Sequence, residues 1–393
     1  MRLRESDPVI FFGAVALSAF GVVMVYSASH ILALDRYGDP LFFVKRHLTW
    51  TLVGFGMMLL LSRVETERWR AWAFPVLLLS LAGLALVFVP GLGRSAGGAR
   101  RWLALGPFSF QPGEAAKLGI IVFLAHFLTV KEARITDLKY GFLPPVMLIG
   151  LILGLILVQP DLGTALLIAV LAAMLLYLAG ARWSHLAASA LVCAPVILWM
   201  IFATPWRFRR ILAFLDPFAS ARDTGYQLVQ SLLALGRGGV YGLGLGEGRQ
   251  KLLYLPEPHT DFIYAVVGEE LGLIGALAVA ALFALLLYRG MRVAARCTDR
   301  FRALLAAGVT LLVSLQGLLN MAVVTGLVPT TGVPLPLISL GGTSMVVTLS
   351  ALGLLLAAAQ EDRPAGAPME AAPARAGRGL AGAGRAPARG RRG

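Results

Sequence analysis

Residues 142–179 read FLPPVMLIGLILGLILVQPDLGTALLIAVLAAMLLYLA, and the only charged side chain among them is Asp161. Each half, 142–158 and 162–179, is long enough to cross a hydrocarbon layer of about 30 Å as a helix. Gln159-Pro160 between them interrupts the helical run, so the two halves read as neighbouring membrane helices joined by a tight turn. Outward from this pair, similar apolar runs recur at 9–28, 48–61, 72–90, 115–130, 186–203, 262–288, 303–328 and 337–359. The chain therefore reads as an all-α polytopic membrane protein with about ten transmembrane helices. Composition agrees: 58% of the 393 residues are hydrophobic, 14% are charged and the mean hydropathy is +0.77, which excludes a soluble globular domain.

Charge sets the expected orientation. The stubs and loops on one face carry 21 of the 35 Lys and Arg, and seven of the remainder lie in the long 204–261 segment, which can be translocated whatever its charge. Both termini are thus expected on the cytoplasmic side of the membrane, with 204–261 as one large extracytoplasmic loop. The layout becomes a cytoplasmic stub 1–8, transmembrane helices 9–203, the loop, transmembrane helices 262–359, and a basic tail 360–393. The tail is Ala, Gly, Pro and Arg with almost no large apolar residue, so disorder is expected there. The net charge of +14 belongs to this topology and gives no reason to expect a nucleic-acid partner.

Charges at membrane depth ask for a partner or a task. Glu114 and Lys117 are three apart on one helical face, which suits a structural ion pair and a direct role alike. Asp161 after Pro160 reads as a helix cap. Asp261, in Leu255-Pro256-Glu257-Pro258-His259-Thr260-Asp261-Phe262, stands where the outer loop becomes the eighth span. It could cap that helix or serve as a general base at the membrane mouth. Below it, Gly268, Gly272 and Gly275 read as a small-residue packing face, and at least one of Glu269 and Glu270 must face protein. Gln316 and Asn320 share a face of the ninth span and read as inter-helix hydrogen-bonding groups. The Pro- and Gly-rich run 328–342 signals irregular backbone covered by protein or a polar cavity. The five histidines are scattered, and no set of side chains has metal-ligand spacing. Gly236–Gly248 follows no strand and precedes no Lys-Ser/Thr pair, which fails the context of a phosphate loop.

From Met24-Val25-Tyr26-Ser27 to Gly353 the chain resembles the SEDS (shape, elongation, division, sporulation) family. The resemblance rests on Gly98-Ala99-Arg100-Arg101-Trp102, Gln111-Pro112-Gly113-Glu114-Ala115-Ala116-Lys117, Gln159-Pro160-Asp161-Leu162-Gly163-Thr164, Tyr226-Gln227 with Gln230-Ser231, the 255–262 stretch and Gly268-Glu269-Glu270-Leu271-Gly272. Arg249-Gln250-Lys251 and Thr325-Gly326-Leu327-Val328-Pro329-Thr330 are similar to the division (FtsW) branch more than to the elongation (RodA) branch. Gly113, Tyr264, Leu340 and Thr343 depart from the usual Ser, Phe, Tyr and Ser, and none of these changes removes an ionisable group.

The resemblance implies an inverting peptidoglycan glycosyltransferase that polymerises lipid II, the disaccharide-pentapeptide on undecaprenyl pyrophosphate, during septal wall synthesis. Asp261 matches the family's essential outer-loop acid. Glu114 and Lys117 match its buried charged pair, and Arg101, Trp102 and Asp161 match further motif positions. For the departing pyrophosphate the outer-face cations are Arg101, Arg207, Arg210 and Lys251. A divalent cation, Mg2+ or Mn2+, is the other means, and no tightly bound cofactor is expected. Expected partners are a class B penicillin-binding protein, with its single span against the eighth and ninth helices, and other divisome membrane proteins. The residues themselves leave open a lipid II flippase or a non-catalytic division scaffold, and the shared motifs leave open an elongation role.

Overall fold

Asp7 accepts a hydrogen bond from the Val9 amide at 3.0 Å and Pro8 takes the first helical position, so a side-chain cap and a preset φ together start the first helix. In the computed structural model, which describes residues 7–96, 99–106, 108–251 and 255–360, this helix α1 spans Pro8–Tyr37. There follow α2 (Phe42–Leu61), the short α3 (Thr66–Ala71), α4 (Ala73–Leu86), strands β1 (Gly93–Ala96), β2 (Ala99–Leu105) and β3 (Phe108–Phe110), and α5 (Pro112–Val130). A π-helical turn at Leu138–Phe142 leads into α6 (Leu143–Val158), then α7 (Leu162–Leu178), α8 (Trp183–Phe202), α9 (Pro205–Leu215) and α10 (Tyr226–Gly238). The chain closes with α11 (Ile263–Arg296), α12 (Arg300–Val324) and α13 (Gly342–Gln360). Most of the stub and all but Gln360 of the tail lie outside the described residues.

Among the described residues, seven helices are long and apolar enough to cross a membrane: α1, α5, α6 with its π turn, α8, α11, α12 and α13. Two shorter apolar helices, α4 and α7, lie among them. The chain is a multi-pass membrane protein. At its centre α12 packs on α5, α7, α11 and α13, while α13 packs closely on α2. Most residues of α12 and α13 are buried, whereas α8 buries none of its own and touches only α7 and α9 closely.

Three features add to or correct the sequence reading of a predominantly helical polytopic membrane protein. First, the fold is not purely helical: β1, β2 and β3 form an antiparallel meander between α4 and α5, with a bulge between Arg94 and Ser95. Its strands are only four, seven and three residues long, and among the described side chains Ala99 and Leu103 are its buried apolar ones, too short an alternation to register beside the membrane runs. Second, the 204–261 segment is structured, since α9 and α10 lie in it.

Third, Gly272 is a break in α11, not part of a helical packing face. Its φ of 66° and ψ of −165° are non-helical, and they favour glycine. The loop after α10 takes up the freed backbone groups: the Leu243 and Gly244 amides donate to the Glu269 and Glu270 carbonyls, each at 3.0 Å, and the Leu273 amide donates to the Gly239 carbonyl at 2.9 Å. A broken helix is tolerated at membrane depth because protein replaces the lost bonds.

Candidate functional site

The stretch 255–262 has no ladder of its own, so other elements must hold it. His259 is buried against Phe43, with ring centroids 4.5 Å apart. Burial, aided by Arg36, pushes its pKa down to about 4, so the imidazole is neutral at physiological pH. The Leu340 amide donates to the His259 carbonyl at 2.9 Å, Ser339 Oγ to the Thr260 carbonyl at 2.6 Å, and Asn320 Nδ2 to the Asp261 carbonyl at 2.7 Å.

Asp261 does not cap α11 with its carboxylate: the N-cap residue is Phe262, and no side chain caps the helix. The carboxylate lies beside Gly332, where an added Cβ would sit 3.2 Å from Oδ2. With a φ of 72° and this close approach, position 332 suits glycine twice over. Burial raises the Asp261 pKa above the ordinary carboxylate range, Arg101 pulls it back, Glu257 adds to the rise, and Thr260 and Arg210 oppose it.

The two guanidiniums arrive from separate elements. Arg101 projects from β2 and lies 3.6 Å from Asp161 Oδ2 through Nη1, and its Nε has no partner. Arg210 on α9 donates to the Thr330 carbonyl at 3.3 Å and stacks on Trp206. Burial and the neighbouring Arg101 lower the Arg210 pKa, while Asp261 raises it. Asp161 is a cap, accepting from the Thr164 backbone amide at 3.1 Å, and it also draws in Arg101 and the Gln111 side chain, whose Nε2 donates to Oδ2 at 3.4 Å. The sequence therefore reads Asp161 correctly as a cap but misses its second task, holding Arg101 near Asp261.

The other expected site residues do not gather here. Trp102 follows Arg101 in β2, so strand alternation sends it to the opposite face. Glu114 and Lys117 form a buried ion pair at 2.7 Å, and Lys117 also donates to Gln316 Oε1 at 2.7 Å. Gln316 passes the contact on by donating to the Pro334 carbonyl at 3.2 Å. Arg207 is buried, tied to the Met200 carbonyl at the end of α8 and stacked on Trp206. Lys251 is not an open outer-face cation: its ammonium is buried against Glu270 at 2.6 Å, the Gly246 carbonyl at 2.8 Å and Ser27 Oγ at 2.9 Å. Glu269, also buried, accepts from the Arg249 and Gln250 amides at 2.9 and 3.1 Å. Both acids thus face protein.

Glu114→Ala would leave the Lys117 ammonium buried and unpaired, at a cost of about 3–5 kcal/mol. Replacing both residues with an apolar Leu and Met pair is expected to restore thermal stability in detergent and most of the activity. A double variant that is stable but inactive would instead assign the pair a direct role.

Several known proteins share this architecture. The chain is 47% identical over 355 residues, 90% of its own length and 95% of the relative's, to a probable peptidoglycan glycosyltransferase FtsW of Geobacter sulfurreducens. It is 38% identical over 358 residues to the stage V sporulation protein E of Bacillus subtilis, covering 91% of this chain and 98% of the relative. Among solved structures, a chain from work on the structural coordination of polymerization and crosslinking by a peptidoglycan synthase complex aligns with a TM-score of 0.76 at 30% identity, over 91% of this chain and 98% of that one. The rod shape determining protein RodA of Thermus thermophilus aligns with a TM-score of 0.68 at 29% identity, over the same 91% and 98%. With residues 8–364 matching the cell cycle protein family of FtsW, RodA and SpoVE, a span that holds Asp261 and every element around it, the chain belongs to that family.

Proposed function

We propose that the chain is a peptidoglycan glycosyltransferase that polymerises lipid II into glycan strands during septal wall synthesis. One observation carries the assignment of the site: the Asp261 carboxylate, spared from capping α11, lies under the influence of two guanidiniums at the end of the outer loop. In this reading α1, α2, α4 to α8 and α11 to α13 are ten spans. Both termini lie in the cytoplasm of the inner membrane, and the loop between α8 and α11 faces outward.

Asp261 accepts the proton of the acceptor N-acetylglucosamine 4-hydroxyl as that oxygen attacks the anomeric carbon of the donor N-acetylmuramic acid. The carbon inverts and undecaprenyl pyrophosphate departs. Arg101 and Arg210 are placed to stabilise the developing negative charge, and they help keep Asp261 ionised. Among the described residues no group of three His, Cys, Asp or Glu side chains could hold a metal. Beside Asp261 stand the Arg101 and Arg210 guanidiniums, which suit a pyrophosphate, together with the Glu257 carboxylate. The expected partner is a class B penicillin-binding protein within the divisome.

The test is incubation of the purified chain, alone and with its class B partner, with labelled lipid II, followed by gel separation of glycan strands. Strands are the expected result. Their absence with folded protein and partner present would move the reading to a flippase or a scaffold.

A further inference from the structure

Asn320 is 1% exposed on a membrane helix, where an amide is costly unless bonded. Its Nδ2 donates twice, to the Asp261 carbonyl at 2.7 Å and to the Val333 carbonyl at 2.8 Å. Those carbonyls belong to the two irregular segments, 255–262 and 328–341, which have no regular ladder to fix them. Gly332, which precedes Val333, walls the Asp261 carboxylate. One amide on α12 therefore sets both the main chain beneath the carboxylate and the wall beside it. Ser339 supplies a second fixed point, donating from Oγ to the Thr260 carbonyl and accepting from the Leu335 amide at 2.9 Å.

We infer that Asn320, assisted by Ser339, is a positioning residue that holds Asp261 in its reactive placement by clamping the 255–262 and 328–341 segments together on α12. The inference rests on the reading of Asp261 as the general base. An error of about 1 Å in placing a catalytic group lowers rate on the order of 10²-fold, while binding energy drawn from the rest of a large substrate is retained. Loss of the clamp is accordingly a kcat effect, with KM for lipid II little changed.

The experiment measures lipid II polymerisation by the full chain with its partner for Asn320→Leu, which keeps the volume but loses both donors. Asn320→Asp, Ser339→Ala, Asp261→Asn and the lipid-facing control Leu318→Ala complete the set. Asn320→Leu is expected to lower kcat about 10²-fold. Asn320→Asp should also move the acid limb of the kcat profile to higher pH, because its carboxylate adds to the repulsion from Glu257, with Arg101 and Arg210 opposing and Asp161 already paired to Arg101. A role confined to folding would lower the folded yield of Asn320→Leu and leave kcat per folded molecule unchanged. Ser339→Ala should show a weaker kcat loss, and Leu318→Ala none. A folded Asn320→Leu with unchanged kcat, or one altered only in KM, overturns the inference while inactive Asp261→Asn leaves the general base standing. If Asn320→Leu does not fold, an unshifted acid limb in Asn320→Asp together with full kcat in Ser339→Ala overturns it. Activity in Asp261→Asn would overturn the underlying reading instead.

Discussion

Asp261→Asn is expected to abolish strand synthesis from lipid II, with a rate loss of about 10²–10⁴-fold from the missing general base alone. The amide is nearly isosteric, so the main-chain bond from Asn320 to the residue 261 carbonyl should survive and the fold with it. What disappears is a proton acceptor and the counter-charge to Arg101 and Arg210. Near-wild-type polymerisation by this variant would remove Asp261 from the mechanism. The sign of the pH dependence follows from the same surroundings. A base must be ionised, and burial raises the Asp261 pKa, so activity should fall on acidification through a midpoint above the usual carboxylate value. Arg101→Gln removes the main opposing influence, raises that pKa further, and should move the acid limb to higher pH. A limb unchanged by Arg101→Gln would show that some other group titrates.

The second large effect lies away from the chemistry. Glu270→Ala would strip the Lys251 ammonium of its counter-ion in a fully buried setting, at a cost of about 3–5 kcal/mol. For a chain of this size that corresponds to a fall of about 4–6 °C in apparent Tm in detergent, and a lower folded yield. The double variant Glu270→Leu with Lys251→Met should recover most of the loss, since an apolar pair replaces a buried ion pair at little net cost. An unchanged melting profile for Glu270→Ala would contradict the cluster of Ser27, Gly246, Lys251 and Glu270 described above.

The membrane helices were legible in the sequence because hydrophobic length is a local property, and α6 and α7 end within a residue of the expected boundaries. Where polar residues extend a helix beyond the lipid, hydropathy stops early. The first span was expected to end at residue 28, yet α1 continues to Tyr37. The last was expected from residue 337, yet α13 starts at Gly342, because the apolar residues before it belong to irregular buried backbone. Asp261 stood out by its place in the chain. Its setting did not, since Arg101, Arg210, Gly332 and Asn320 converge on it from distant parts of the sequence. Lys251 failed as an outer-face cation because its burial needs Ser27, 224 residues away, to meet Gly246 and Glu270, and the break at Gly272 is explained only by the loop after α10 that bonds across it.

That break also bears on how the protein is made. A charged side chain at the centre of a membrane helix opposes insertion by about 2.5–3.5 kcal/mol, and α11 carries two adjacent acids in its first third, just before Gly272. Every group that receives them, Ser27, Gly246, Arg249, Gln250 and Lys251, precedes them in the chain. As the ribosome delivers Glu269 and Glu270, their receptors have already been synthesised. The order of translation thus matches the order in which the charges need company, and a circular permutant opened between Lys251 and Glu269 would lose that match even though its finished contacts were the same.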